Sequence, residues 1–289
     1  MDALFHSHSS FKPVNPLVKI NDQSEIAFLN WVKTWNEDTG MRLKVTLPHR
    51  KNKTKKEQSF KVIERISLNV DNTAIIRLRP NKKGHFQSGD LLHIIPPGDT
   101  YARQYSMAKV DGDILLSIKW HPKGICSTYL CTLKNGDTIS ARIEKNAKFH
   151  FPKQASSVWL IANGTGIAPY LGMLNENHKT PVQLTWGGRI EASFDCYRPF
   201  LESKLLPKQV IPYQLALSQT KDKIYVQDVL LDQQTEVAKT LKNGGVFMLC
   251  GSMAMQYAVL DTLEGITATH LQQPLSDFEN NGQLLMDCY

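Results

Sequence analysis

Ser157-Val158-Trp159-Leu160-Ile161-Ala162-Asn163-Gly164-Thr165-Gly166-Ile167-Ala168-Pro169 is the stretch whose reading decides the fold. An apolar run of this length reads as a strand. The glycines then turn the chain directly into GIAPYLGML, which reads as a helix. Such a turn lets the backbone approach a diphosphate closely, and the helix start offers amides and positive potential. Gly164, Thr165, Gly166 and Pro169 are therefore candidate nucleotide-binding positions. Any tight strand-to-helix turn can carry Gly-x-Gly, so the rest of the chain has to support the reading.

Downstream the pattern repeats. VQLTWGG leads to a helical segment around Cys196–Leu205, VIPYQLALS to YVQDVLLDQQTEVAKTL, and VFMLCGS to AMQYAVLDTLEG, before LLMDCY closes as an edge strand. Strands alternating with helices predict βαβ units and a doubly wound parallel sheet over residues 154–289. Upstream the texture changes to short strand-like runs: FKVIERISL, TAIIRLRP, DLLHIIP, RQYSMAKV, DILLSIKW, DTISARIE and AKFHF. Turn signals such as Pro96-Pro97-Gly98 and Asp111-Gly112-Asp113 divide them, and one helix is predicted at Ile125–Leu133. Short strands at regular spacing suggest a barrel or a sandwich, and before the α/β half an antiparallel β-barrel over residues 58–153 is expected. Residues 1–57 read as an appendage, with one amphipathic helix in Ser24–Trp35 docked on the main body and a lysine-rich linker at Lys51–Lys56.

The 289-residue length suits about two domains. The hydrophobic fraction of 42% and charged fraction of 21% fit a globular protein. No apolar run is long enough to cross a bilayer and the first residues lack a signal-peptide core, so a cytoplasmic location is expected. The five cysteines include no Cys-x-x-Cys pair, which argues against disulfide, zinc and iron–sulfur frameworks. No metal site is expected. The net charge of +7 suits an acidic partner, whereas the lysine run carries no interleaved aromatics, so nucleic-acid binding is not expected.

Five further groups carry chemistry: Arg103-Gln104-Tyr105-Ser106; Lys123-Gly124-Ile125-Cys126-Ser127-Thr128; Ser218-Gln219 with Lys223, Tyr225 and Gln227; Cys250-Gly251 after a strand; and Asp287-Cys288-Tyr289. Together with GTGIAP, and in this order, they resemble the FAD and NADP modules of the ferredoxin–NADP reductase superfamily, in the diflavin-reductase branch. The resemblance covers residues 59–289 and implies a role for each residue. Arg103 would pair with the FAD diphosphate, and Gln104, Tyr105 and Ser106 would line the flavin. Gly124, Ile125, Cys126 and Ser127 would present amides at a helix start, and Ser127 or Thr128 a hydroxyl. Gly164, Thr165, Gly166 and Pro169 would receive the NADP diphosphate. Ser218, Gln219, Lys223, Tyr225 and Gln227 would read the 2′-phosphate and adenine, and Cys250 and Gly251 would meet the nicotinamide. Gln219 departs from the family's arginine; Arg189 is the candidate to compensate, and NADH stays open beside NADPH.

The resemblance thus implies FAD and NADPH as cofactors, with Ser106, Cys250, Asp287 and Tyr289 as catalytic residues and Tyr289 as a movable ring over the flavin. It implies electron transfer to a separate acidic carrier: a flavodoxin, a ferredoxin or a separate FMN domain. Alternatives are a flavin or ferric-chelate reductase and a non-catalytic nucleotide-binding redox module.

Overall fold

The computed structural model describes residues 25–40, 43, 57–82, 84–176, 179–202 and 213–289. The chain divides into two compact units, Met1–Thr54 and Lys55–Tyr289. In the first, helix α1 spans Glu25–Thr39, with the Trp31 and Trp35 rings one turn apart, tilted by 38° at 5.7 Å between centroids. The Lys51–Lys56 run lies outside the described residues.

The second unit begins with seven antiparallel strands: β1 (Gln58–Ile66), β2 (Thr73–Pro80), β3 (Leu91–Ile94), β4 (Arg103–Ser106), β5 (Ala108–Val110), β6 (Asp113–Lys119) and β7 (Thr138–Glu144). Their order is β4-β3-β7-β1-β2-β6-β5. The two edge strands, β4 and β5, are separated in sequence by Met107 alone. The sheet therefore has to curl until its edges meet, which is how a barrel closes. RQYSMAKV is thus two strands rather than one. Met107 accounts for the break: its N–H donates to the Asp90 carbonyl at 3.0 Å and its carbonyl accepts from Gly89 at 2.9 Å, so it leaves the ladder. Helix α2 spans Ile125–Thr132. AKFHF is not a strand: Ala147–Phe149 forms a single 3₁₀ turn whose Phe149 is fully buried.

The remainder is a five-stranded parallel sheet of β8 (Val158–Asn163), β9 (Val182–Gly188), β10 (Tyr213–Leu217), β11 (Val246–Gly251) and β12 (Leu284–Cys288), ordered β10-β9-β8-β11-β12. The helices are α3 (Ala168–Glu176), α4 (Arg198–Glu202), α5 (Val226–Asp232), α6 (Gln234–Lys242), α7 (Met253–His270) and α8 (Leu275–Asn280). YVQDVLLDQQTEVAKTL is two helices that part at Gln233, and α8 lies in a stretch the sequence reading left unassigned. Alternate residues of β8 enter different cores. Val158, Leu160 and Ala162 pack with α3, while Trp159 and Ile161 pack with α5, α6 and α7. That two-sided burial explains the unbroken apolar run.

From Ala168 to Leu174 helix α3 is apolar all round because that stretch is enclosed all round. Its Tyr170, Leu171 and Leu174 share one core with Ala108, Val110 and Leu115 of the barrel. The Tyr170 hydroxyl donates to the Met248 carbonyl at 2.7 Å. This common core fixes the barrel against the parallel sheet. No helix among the described residues is long and apolar enough to cross a membrane.

Candidate active site

The chain builds β8, β9 and β10 outward in one direction, then returns to place β11 and β12 on the other side of β8. Strand order therefore reverses between β8 and β11, and the crevice beyond their carboxyl ends is where open α/β sheets bind ligands. Gly164 follows β8 directly, and Gly251 ends β11. Residues Gly164–Ile167 form a 3₁₀ turn, and the α-helix begins only at Ala168. Two glycines allow the ends to meet. A Cβ on Gly166 would lie 2.1 Å from the Cys250 carbonyl oxygen. Gly251 has φ +149°, and a Cβ there would lie 2.0 Å from Asn163 Oδ1. Asn163 clasps the far side: its Oδ1 accepts from Ser252 N–H at 2.8 Å, and its Nδ2 donates to Ser252 Oγ at 3.0 Å.

Cys250 and Asp287 are register partners on β11 and β12. Ser106 arrives from β4 of the barrel and donates from Oγ to Asp287 Oδ2 at 2.5 Å. It also reaches the Cys250 thiol. Asn146 Nδ2 donates to Asp287 Oδ1 at 3.3 Å. Burial pushes the Asp287 carboxyl above the usual range, and the two hydrogen bonds oppose that rise. Burial also pushes Cys250 well above the ordinary thiol range, with the neighbouring Asp287 adding to the effect. Cys250 is therefore a neutral, buried thiol rather than a nucleophile. Tyr289 donates its backbone N–H to the Gly251 carbonyl at 2.9 Å. Its hydroxyl shares a hydrogen bond of 2.9 Å with Thr165 Oγ1, and the residue remains 65% exposed.

The second group of predicted residues lies on the barrel. Tyr105 packs on the barrel core and hydrogen-bonds the Cys126 thiol. Arg103 donates from Nη1 to the Tyr101 carbonyl at 2.9 Å and lies 3.4 Å from Asp99 Oδ2. Gln104 is exposed. Helix α2 starts at Gly124 without a side-chain cap, so its first amides keep their capacity for an anion. Ile125 is exposed there, while Cys126 is buried. The Ser127 hydroxyl is engaged within the turn, donating to the Gly124 carbonyl at 3.1 Å and accepting from His121 N–H at 3.2 Å. A guanidinium, a half-buried tyrosine and an uncapped helix start fit a flavin nucleotide's diphosphate and ring.

The third group lies at the β10 edge. Ser218 and Gln219 sit against the end of β9, their N–H groups donating to Gly188 at 2.9 Å and Arg189 at 2.8 Å. The Ser218 hydroxyl also donates to the Gly188 carbonyl, at 3.1 Å. Lys223 and Tyr225 are exposed, and Gln227 is half-buried at the start of α5. Arg189 is ion-paired to Asp71 at 3.3 Å. Pro169 is buried in the first turn of α3.

Sequence reasoning overlooked Asn146 and Asp90. Asp90 accepts from Asn146 N–H at 2.9 Å and from Gln87 N–H at 2.9 Å, and pairs with His150 Nε2 at 2.7 Å. It thereby fixes the turn that presents Asn146 to Asp287. Reading AKFHF as a strand concealed that turn. Asn163 was visible as part of the glycine motif but carried no assigned role. Among the described residues no cluster of His, Cys, Asp or Glu is placed to hold a metal ion.

Residues 160–261 match the oxidoreductase NAD-binding domain family. The chain is 31% identical over 187 residues to NADPH–cytochrome P450 reductase of Dictyostelium discoideum, covering 57% of this chain and 27% of that protein. It is 33% identical over 163 residues to human inducible nitric oxide synthase, covering 52% of this chain and 14% of that protein. The aligned part is thus a minor share of each of these relatives. Among solved structures, ferredoxin–NADP+ reductase from Plasmodium falciparum has the same fold, with a TM-score of 0.63 at 21% identity over 83% of this chain and 98% of that one. The same enzyme with 2′P-AMP gives a TM-score of 0.64 at 20% identity, over 81% of this chain and 97% of that one.

Proposed function

We propose that the chain is a member of the ferredoxin–NADP reductase superfamily, an FAD-dependent NADPH oxidoreductase that passes electrons to a separate one-electron carrier. The observation that carries this reading is the contact of Ser106 with Asp287 at 2.5 Å beside Cys250. It joins the predicted flavin strand to the predicted nicotinamide strands at one point. Bound FAD would supply the conversion from two-electron to one-electron transfer.

The protein's own residues would do the following. Arg103 and the start of α2 would hold the flavin diphosphate, and Tyr105 would lie against the ring. Ser106 holds a proton at Oγ, oriented by Asp287, at the place where reacting atoms would meet. The neutral Cys250 thiol would face the nicotinamide, and Gly251, whose missing side chain lets Asn163 close against the strand end, would bring the backbone up to it. Tyr289 would swing aside to admit it, exchanging its hydrogen bond with Thr165. The +7 charge favours encounter with an acidic flavodoxin, ferredoxin or FMN domain in the cytoplasm.

The test is the visible spectrum of the purified protein under anaerobic conditions, before and after NADPH and then NADH. Flavin bands bleached preferentially by NADPH are expected, followed by reoxidation on adding flavodoxin or ferredoxin. A protein that stays colourless after incubation with excess FAD overturns the reading. Reoxidation by free flavin or ferric chelate, with neither carrier effective, replaces the acceptor.

A further inference from the structure

Resting on the NADPH reading above, we infer that Asp71 is a built-in competitor for the 2′-phosphate of the coenzyme, holding Arg189 until that phosphate displaces it. Asp71 belongs to the turn between β1 and β2, on the barrel. Asn69 braces that turn, its Oδ1 accepting from Asp71 N–H at 2.9 Å and from Thr73 N–H at 3.0 Å. Asn69 Nδ2 in turn donates to the Ser193 carbonyl at 3.0 Å, four residues beyond Arg189. The carboxylate is thus presented to Arg189 by a turn bolted to the segment that carries it.

The two partners are unequally placed. The Asp71 side chain is 15% exposed, while that of Arg189 is 56% exposed. Only Nη1 of the guanidinium touches Asp71, leaving the rest of its fork toward solvent. The Arg189 carbonyl accepts from Gln219 N–H at 2.8 Å, so the guanidinium belongs to the residue that abuts the predicted phosphate-reading loop. There Gln219 brings no charge, and the Ser218 hydroxyl has its proton committed to Gly188. A phosphate arriving at this edge is best met by a fork of donors, and Arg189, whose backbone is bonded to Gln219, carries one.

Such a counter-ion weakens binding of a 2′-phosphorylated coenzyme while leaving its unphosphorylated analogue untouched. The experiment is titration of the flavin-loaded protein with NADP+ and with NAD+, for wild type, Asp71→Asn, Arg189→Gln and the double variant. Asp71→Asn is expected to tighten NADP+ binding by about two- to fivefold, the range of a partly exposed ion pair, with NAD+ unchanged. The gain should vanish when Arg189 is already Gln. Asp71→Ala serves as a second variant should Asn itself hold Arg189. An unchanged NADP+ affinity, or equal shifts for NADP+ and NAD+, overturns the inference and leaves the NADPH reading standing. Absence of binding by either nucleotide to wild type overturns both.

Discussion

The switch point of the parallel sheet and its β10 edge are built by opposite rules. At the switch point, Cys250 is wholly buried, Ser106 and Asp287 are locked at 2.5 Å, and the space beside Gly166 and Gly251 is closed to any Cβ. At the β10 edge Gln219, Lys223 and Tyr225 are exposed, and the polar groups are held chiefly by backbone hydrogen bonds. Chemistry needs atoms fixed within fractions of an ångström, whereas recognition of a charged group tolerates long, solvated side chains. Substitutions at the first place should therefore act on rate or folding, and those at the second on affinity.

The largest effect is expected from Ser106→Ala. Stopped-flow flavin reduction by NADPH should slow by roughly 10²-fold with little change in coenzyme affinity. A comparable loss of affinity instead would break the contrast. Gly166→Ala comes next. The added methyl has only backbone to meet, so stability should fall by about 1–3 kcal/mol, read by thermal or denaturant unfolding.

Asp287→Asn sharpens the comparison through pH. Burial raises the folded carboxyl above its ordinary value of 3.8, so the folded protein holds that proton more tightly than the unfolded chain does. Wild-type stability should therefore fall as pH rises from 3.8 through the folded value, and the variant should lack that fall. Unfolding at acidic and neutral pH measures it: the variant gains relative to wild type at neutral pH. Equal differences at both would show that Asp287 carries no such penalty. The smallest effect is that of Gln219→Arg. A surface guanidinium added at the β10 edge should tighten NADP+ over NAD+ by about fivefold at most, with the reduction rate unchanged.

The same contrast governs what the sequence made legible. Strands β8 and β11 announce themselves because burial on both faces demands continuous apolar residues. Ser106, Cys250 and Asp287 were named from motifs, yet nothing local to any of them specifies their meeting, where Asn146, held by Asp90, also bonds Asp287. Those two act through one backbone and one side-chain hydrogen bond, an arrangement that leaves no periodicity behind. The break at Met107 was hidden for a related reason. RQYSMAKV alternates like one strand, and only bonds to Gly89 and Asp90 draw its middle residue away. Gln233 parts α5 from α6 without glycine or proline, so no breaker marked it. Arg189 was named as a coenzyme ligand from its position, but its present partner lies 118 residues away on the barrel.

Ser106 and Asp287 are 181 residues apart in the chain. Contacts of such separation form only after the segments between them have been ordered, because loop closure has to be compensated by structure already gained. A chain refolding from denaturant will thus recover its helices and its tryptophan environments before the proposed reduction of flavin by NADPH can return. Return of catalysis would then serve as a clock for the final docking of barrel on sheet, a step that spectroscopic measures of secondary structure pass over in silence.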